Sequence, residues 1–353
     1  MSAPTPTPPW FASTLAALME RRDLDGVHMC ELMHGVVGGA CDETATAALL
    51  VALAMKGETA DELATAAAVL REYMVPFHTG RDDLLDTCGT GGDGTGTFNI
   101  STATALVAAG AGVPVVKHGN RAASGRTGSA DVLAALGVTV EGDARSARRC
   151  LDAVGMAFCF APYFHPALQR VAGVRRRLGV RTLFNWLGPL ANPARAPYQL
   201  LGVGRAEQLD RLADALARLG TRHALLVCGR DGLDEVSLSG PTLVRQVRDG
   251  MVVALEWTPE DFGLEPCRLK ELCVRGPEES ADVIRGVLAG REGPALRVVL
   301  ANAAAALLAA ERVATLTEGV ELAAAAVADG LAAAVLDGLV RESSQRFGDA
   351  AED

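Results

Sequence analysis

Aromatic side chains are scarce in this sequence: Phe, Tyr and Trp together supply 4% of 353 residues. Any core must therefore be filled by small and branched aliphatics, and the long Ala/Leu/Val runs lean towards helix. Paired cysteines are missing too. Among Cys30, Cys41, Cys88, Cys150, Cys159, Cys228, Cys267 and Cys273 there is no C-x-x-C pair, and several lie in apolar runs such as Phe158-Cys159-Phe160. That pattern argues against a zinc site or a disulfide framework and indicates reduced, buried, cytosolic thiols. Positive charge is in deficit, with a net −10, so a nucleic-acid backbone is not an expected partner. Nor is any apolar run long enough to cross a bilayer. The most apolar window, Val298 to Ala310, is about 13 residues with Asn302 inside it, against the roughly 20 needed. The Pro/Thr-rich start, Ser2 to Pro9, has no basic stretch leading into an apolar one, and no signal peptide is expected.

What the chain does have is 49% hydrophobic and 22% charged residues, enough apolar content to exclude bulk disorder. Its length suits about two domains. Residues 11 to about 75 read as helices only, with apolar positions at helical spacing in Leu15, Leu18 and Met19, then Leu32, Met33, Val36 and Val37. Two more helices are predicted over Thr44–Met55 and Ala60–Met74, separated at Gly57 and closed by Pro76. The rhythm then changes to strand, polar loop and helix, twice over. Asp83–Thr87 is a predicted strand, followed by a glycine-rich turn and a helix over Asn99–Ala111; Val113–Val116 is a second, followed by another polar loop and a helix over Gly128–Leu136. Such alternation predicts a parallel sheet.

Further strands are expected at Met156–Phe160, Gln199–Val203, Ala224–Cys228, Thr242–Val247 and Met251–Leu255, with Pro166–Leu190 mainly helical. Two long Ala-rich helices, Pro294–Ala310 and Thr317–Leu339, are expected to end the chain. The fold class is therefore α/β: a small all-helical N-terminal domain packed on a larger α/β domain with a mainly parallel central sheet.

Two loops carry the chemistry. The first, Gly89-Thr90-Gly91-Gly92-Asp93-Gly94-Thr95-Gly96-Thr97, runs into Phe98-Asn99-Ile100-Ser101-Thr102 and a helix start. Glycines let backbone amides approach an anion, and the helix terminus favours negative charge. Asn99, Ser101 and Thr102 are capping residues whose oxygens also suit a phosphate or a cation. The second loop, Lys117-His118-Gly119-Asn120-Arg121-Ala122-Ala123-Ser124-Gly125-Arg126-Thr127, mixes cations, hydroxyls and small residues. Both follow adjacent predicted strands, so both should open at the carboxyl edge of one sheet, where α/β folds bind ligands. Two anion cradles facing one crevice suggest a ligand phosphorylated at two separate places. Beyond another strand, Asp231-Gly-Leu-Asp234-Glu235 offers paired carboxylates for a hard cation such as Mg²⁺. In the Arg175-Arg176-Arg177 run, helical geometry lets at most one arginine reach a carboxylate in the crevice. Taken singly, each feature has a bland reading as a common turn, a solvated loop or a solvated helix face. The joint pattern points to a phosphorylated ligand.

At these residues the sequence resembles the anthranilate phosphoribosyltransferase family over nearly its whole length. The resemblance begins at Lys56-Gly57-Glu58-Thr59-Ala60-Asp61-Glu62 and covers GTGGD-x₃-TFNIS at Gly89–Ser101, KHGNR at Lys117–Arg121 and Gly128–Leu133. It continues through Phe160-Ala161-Pro162 with His165-Pro166, Arg181–Asn185, Leu187–Leu190, Asn192-Pro193, the acidic pair, and Asn302 near the end.

The resemblance implies a nucleoside phosphorylase/phosphoribosyltransferase-like fold, with residues 1–80 helical and completed by mid-chain helices at about 173–197. Residues 81–172 and 198–353 would form the catalytic α/β domain. It implies 5-phosphoribosyl 1-pyrophosphate as donor, bound by Gly89, Gly92, Asp93, Thr97, Asn99, Ile100, Ser101 and Thr102. The second loop would bind it through Lys117, His118, Gly119, Asn120, Arg121, Ala122, Ala123, Ser124 and Gly125, joined by Ser129. Anthranilate would be held by Gly89, Asn120, Pro162, His165 and Arg175. Mg²⁺, two ions per site, would be held by Ser101, Asp234 and Glu235. No residue beyond these binding groups is nominated as a general base, because an aromatic amine has a usable lone pair at pH 7. The implied enzyme is a cytoplasmic homodimer, paired through the helical domain, acting in tryptophan biosynthesis with neither nucleic acid nor membrane as partner.

The sequence departs from the family pattern at Ser124-Gly125, where two serines are usual, and at Ala134, where a glutamate is common; altered donor affinity is expected. Three rivals are weaker. A pyrimidine nucleoside phosphorylase has a different second loop. A dinucleotide oxidoreductase needs an acidic residue where Val113–Val116 is apolar. A silent nucleic-acid-binding paralogue conflicts with the charge and the intact acidic pair.

Overall fold

The computed structural model describes residues 8–122 and 128–345. Four helices come first: α1 (Phe11–Met19), α2 (Gly26–Gly38), α3 (Glu43–Lys56) and α4 (Ala60–Glu72). Asp25, Asp42 and Thr59 cap the last three, each accepting a backbone N–H of the first turn. The Lys56–Glu62 segment owes its sequence to one buried carboxylate. Glu62 is 1% exposed and accepts from Thr59 N at 2.8 Å, Leu24 N at 2.8 Å and Lys56 Nζ at 2.9 Å. Those three donors satisfy a carboxylate that burial has taken out of water.

The chain then alternates through β1 (Leu85–Gly89), α5 (Ile100–Gly110), β2 (Val115–Gly119), α6 (Ser129–Ala135), α7 (Ala144–Val154) and β3 (Met156–Phe160). A one-turn α8 (Ala161–Phe164) leads to α9 (Gln169–Leu178) and α10 (Phe184–Leu190), which return to the bundle. There Val171, Val174, Phe184, Trp186 and Leu187 share a core with Leu32, Leu50 and Leu70. Next come β4 (Tyr198–Gly202), α11 (Leu209–Arg218), β5 (His223–Gly229), β6 (Thr242–Arg248) and β7 (Met251–Trp257). The last described helices are α12 (Pro277–Leu288), α13 (Pro294–Ala309), α14 (Leu316–Ala328) and α15 (Leu331–Ser344).

The seven strands lie in the order β3-β2-β1-β4-β5-β6-β7. The first five are mutually parallel and the last two antiparallel. From β1 the chain moves outward to β2 and β3, then returns to the other side of β1 as β4. The order therefore reverses between β1 and β4, where a crevice opens beyond the carboxyl ends.

Period-two alternation divides the two faces. In β5, Leu225 and Val227 pack towards α13, whereas Ala224, Leu226 and Cys228 join the bundle core. Small residues do the packing that aromatics usually do. Ala301 and Ala303 to Ala306 in α13 are wholly buried, and Gly319 lies so close that a Cβ there would sit 2.8 Å from Ala304 Cα.

Three expectations need correction. The strands before the two loops start and end later than predicted, so Gly89 and Lys117-His118-Gly119 are strand residues. The long C-terminal helix is two, α14 and α15, bent by 61° at the break; Gly330 there adopts φ 74°, which a continuous helix does not tolerate. Finally α7, α11 and α12 were not assigned from sequence, although Leu209, Leu212, Ala213 and Leu216 of α11 are buried at helical spacing. Among the described residues no single helix is long and apolar enough to span a membrane; α14 and α15 meet that length only when counted together.

Candidate active site

The glycine turn leaves β1 at the reversal point. Thr90 N donates to Gly202 O at 2.8 Å, and Gly204 N donates to Thr90 Oγ1 at 3.1 Å, tying the turn to the end of β4. Gly202 has no room for a side chain, since a Cβ would lie 1.7 Å from Asp234 O. Gly91 and Gly92 take φ of 64° and 70°, a left-handed turn that a side chain would strain. Asp93 closes the turn on itself by accepting from Thr95 N and Thr95 Oγ1. Phe98 N donates to Leu272 O and Val274 N to Gly96 O, so Thr97 sits in a short bridge with Cys273.

Asn99 caps α5, accepting from Thr102 N at 3.0 Å and Ser101 Oγ at 3.3 Å. Ile100 and Thr102 are buried in the helix's first turn, which leaves Ser101 at its rim.

The strand position of Lys117 decides the electrostatics. It is 1% exposed and turned towards α5, where Nζ donates to Thr87 O and, at 3.1 Å, to Ser101 Oγ. Burial lowers its pKa, while the Asp86, Glu235 and Asp234 charges oppose the shift. The Ser101 backbone amide beside Glu235, and that of Gly91 beside Asp234, favour the charged carboxylates. Burial, with Asp93 close by, pushes Asp234 up to about 7; burial and the Asp234 charge push Glu235 well above the usual range.

Three carboxylates crowded beside one ammonium lack positive charge, and a divalent cation would supply it. No group of three His, Cys, Asp or Glu side chains closes a complete metal cage among the described residues. Mg²⁺ is commonly held by one or two carboxylates together with ligand phosphates. The acidic segment is itself pinned from α13: Asn302 Oδ1 accepts from Val236 N at 2.9 Å while its Nδ2 donates to Val236 O at 3.0 Å.

Alternation along β2 turns His118 to the opposite face from Lys117. Its Nδ1 lies 3.1 Å from Gly188 O, and its ring centroid 4.9 Å from that of His165, whose Nε2 lies 2.9 Å from Ala191 O. Burial depresses both imidazoles, to about 3 and about 4, so both are neutral at pH 7. Asp86 lies beneath them, accepting from His118 N at 3.2 Å, and burial raises its pKa.

Arg175 is half-buried with its guanidinium 5.6 Å from the Phe184 ring, and Pro162 is exposed at the start of α8. Arg176 and Arg177 face outward, and Arg177 pairs with Glu43. Of the second loop, Gly119 abuts Ser129, and Asn120 Oδ1 accepts from Arg121 N at 2.8 Å. Arg121 pairs with Asp131 and Glu141, and Ala122 N donates to Asp131. Ala123, Ser124 and Gly125 lie outside the described residues, so the expected departure there has no structural counterpart to weigh.

The geometry thus gathers Gly89, Gly92, Asp93, Ser101, Lys117, Asp234 and Glu235 at the reversal point, and sets His118, His165 and Arg175 on the bundle side. Sequence reasoning missed Asp86, Arg181 and Asn302 as supports. Arg181 and Asn302 stand in recognisable blocks, but their contacts lie far away in the chain. Arg181 Nη2 donates to both Gly91 O and Gly92 O at 2.9 Å.

A helical bundle joined to an α/β unit with a switch-point crevice defines a class of sugar-transferring enzymes. Residues 12–74 match the helical bundle domain of the glycosyl transferase family and residues 81–333 its a/b domain. The chain belongs to this family, and within it to the anthranilate phosphoribosyltransferases. It is 48% identical over 335 residues to anthranilate phosphoribosyltransferase of Symbiobacterium thermophilum, covering 94% of this chain and 97% of that one. The crystal structure of the Thermus thermophilus protein has a TM-score of 0.88 at 43% identity, covering 94% and 99% of the two chains. That of the Saccharomyces cerevisiae protein, in complex with PRPP and Mg, has a TM-score of 0.86 at 28% identity and covers 95% and 98%.

Proposed function

We propose that this chain transfers the 5-phosphoribosyl group from 5-phosphoribosyl 1-pyrophosphate to the amine of anthranilate, giving N-(5-phosphoribosyl)anthranilate and pyrophosphate in tryptophan biosynthesis. One observation carries the reading: Asp93, Asp234 and Glu235 crowd beside buried Lys117 and Ser101 at the mouth of a left-handed glycine turn. This is a place built for polyanion and cation together.

The C1–oxygen bond to the diphosphate breaks with its electron pair leaving on oxygen, and the amine nitrogen forms the new bond to C1 and loses one proton to solvent. Asp234, Glu235 and Ser101 would hold Mg²⁺, as two ions in our reading, which would supply positive charge to the leaving diphosphate. Lys117 adds a fixed positive charge without having to reorganise. Gly89 at the end of β1, Gly92 and Asp93 of the turn, Thr97 with Asn99 through Thr102, and Lys117 through Gly125 with Ser129 would cradle the two phosphate ends. Gly89, Asn120 and Arg175 would contact anthranilate, Arg175 taking its carboxylate, while Pro162 and His165 line its path. Neutral His118 and His165 keep that wall free of positive charge, leaving the carboxylate to the arginine.

The domain division proposed is 1–80 with about 173–197 on the bundle side and the rest on the α/β side. Dimerisation through the bundle is supported by an apolar groove of about 920 Å³ lined by Trp10, Val27, Cys30 and His34. The free thiols of all eight cysteines support a cytoplasmic setting. Loss of anthranilate fluorescence, with donor and Mg²⁺ and then with chelator, tests the activity. Consumption that is absent, or indifferent to chelator, defeats the reading. Sedimentation at micromolar concentration tests the dimer.

A further inference from the structure

Arg181 stands in the segment between α9 and α10, on the bundle side, yet its guanidinium ends on the glycine turn of the α/β unit. It lies 5.4 Å from the ring of Trp186, and Trp186 is buried in the bundle core. From that anchor Nη2 donates to Gly91 O and Gly92 O at once, both at 2.9 Å. Gly92 has no side chain to obstruct it; a Cβ there would fall 1.9 Å from the same nitrogen. A cation bound to both carbonyls fixes their orientation and with it that of the peptide planes they belong to, and it screens two carbonyl dipoles that would otherwise repel an anion.

We propose that Arg181 is a positioning residue for the donor, reaching across from the bundle to hold the Gly91 and Gly92 carbonyls so that the turn's amides meet the diphosphate. The proposal rests on the reading that this turn binds the donor. The contact joins two parts of the molecule, the bundle core that anchors Arg181 beside Trp186 and the α/β unit that carries the turn.

Steady-state kinetics with each substrate varied separately tests it. Arg181→Gln should raise the donor KM about 10- to 100-fold, the range expected for losing hydrogen bonds to a charged group, with anthranilate KM within about twofold. Arg181→Lys, which keeps the charge but loses the planar fork, should recover part of the loss. Gly92→Ala should raise the donor KM by itself. Combined with Arg181→Gln it should add little further, because both changes break the same contact.

Equal rises in both KM values, full additivity in the double variant, or a wild-type donor KM in Arg181→Gln would overturn the proposal. Should Arg181→Gln unfold, Arg181→Lys with the Gly92→Ala pair decides by the same additivity. Wild-type protein that does not consume anthranilate would instead sink the assigned activity, and is distinguishable for that reason.

Discussion

The site has two unlike halves divided by the sheet. On the α5 side, charge is dense: the Asp234 and Glu235 charges act on buried Lys117, and Asp93 acts on both of those carboxylates. On the bundle side, two imidazoles are held neutral and Arg175 is half-buried over Phe184. Lys117 and His118 are neighbours in sequence and belong to different halves, because successive strand residues face opposite ways. On the proposed reading, polyanion recognition would depend on crowded, partly buried charge, and acceptor recognition on shape and a single cation.

If the halves are separable, their variants should fail differently. The largest effect is expected from Asp234→Ala with Glu235→Ala. Turnover should fall by about 10³-fold or more, and Mg²⁺ should no longer raise the melting temperature in the presence of pyrophosphate. The metal-free melting temperature should not fall, since two crowded carboxylates are removed. Turnover near wild type would remove the metal assignment. Next, Lys117→Met should lower kcat by about 10²-fold, leaving the acidic pair without its buried cation. A kcat unchanged within twofold would show that the ammonium contributes nothing to the donor half.

On the other side, Arg175→Ala should raise the anthranilate KM by about 10- to 100-fold and leave the donor KM within about threefold. Equal rises would erase the division drawn between the halves.

The imidazole pair gives a pH signature. Burial depresses His118 and His165 to about 3 and about 4 in the folded protein, against 6.5 unfolded. The unfolded chain therefore binds protons first on acidification, and the stability that this pair contributes is whole above about 6.5 and drains away towards pH 4. Lys117 behind His118 adds to the depression. Melting temperature should fall between pH 7 and 5, and the slope should flatten in His118→Gln with His165→Gln; an unaltered slope would show that other groups titrate there. The smallest effect is far from both halves: Thr59→Ala should cost about 1 kcal/mol in denaturant unfolding through the lost α4 cap, with both KM values untouched.

Much of the donor half is legible in the chain itself. Gly91 and Gly92 need left-handed backbone, Asn99 needs to cap a helix, and each demand is met within a few residues, so each leaves a contiguous mark. The strand ends are less legible. Reading Lys117-His118-Gly119 as loop misses that a strand buried on both faces can include a lysine once Thr87 and Ser101 receive it. The bend between α14 and α15 is hidden by uniform alanine, although Asp329-Gly330 marks it.

Sequence alone determined the succession of the seven strands, the glycine turn after β1 and the acidic pair, because capping, glycine conformation and apolar period act over one or two turns of chain. Only the tertiary structure decided which side of the sheet each charge faces, that Asn302 pins the acidic segment, and that Arg181 crosses to the glycine turn. Those contacts join residues tens of positions apart, and their existence depends on how helices and sheet pack rather than on any local preference of the chain.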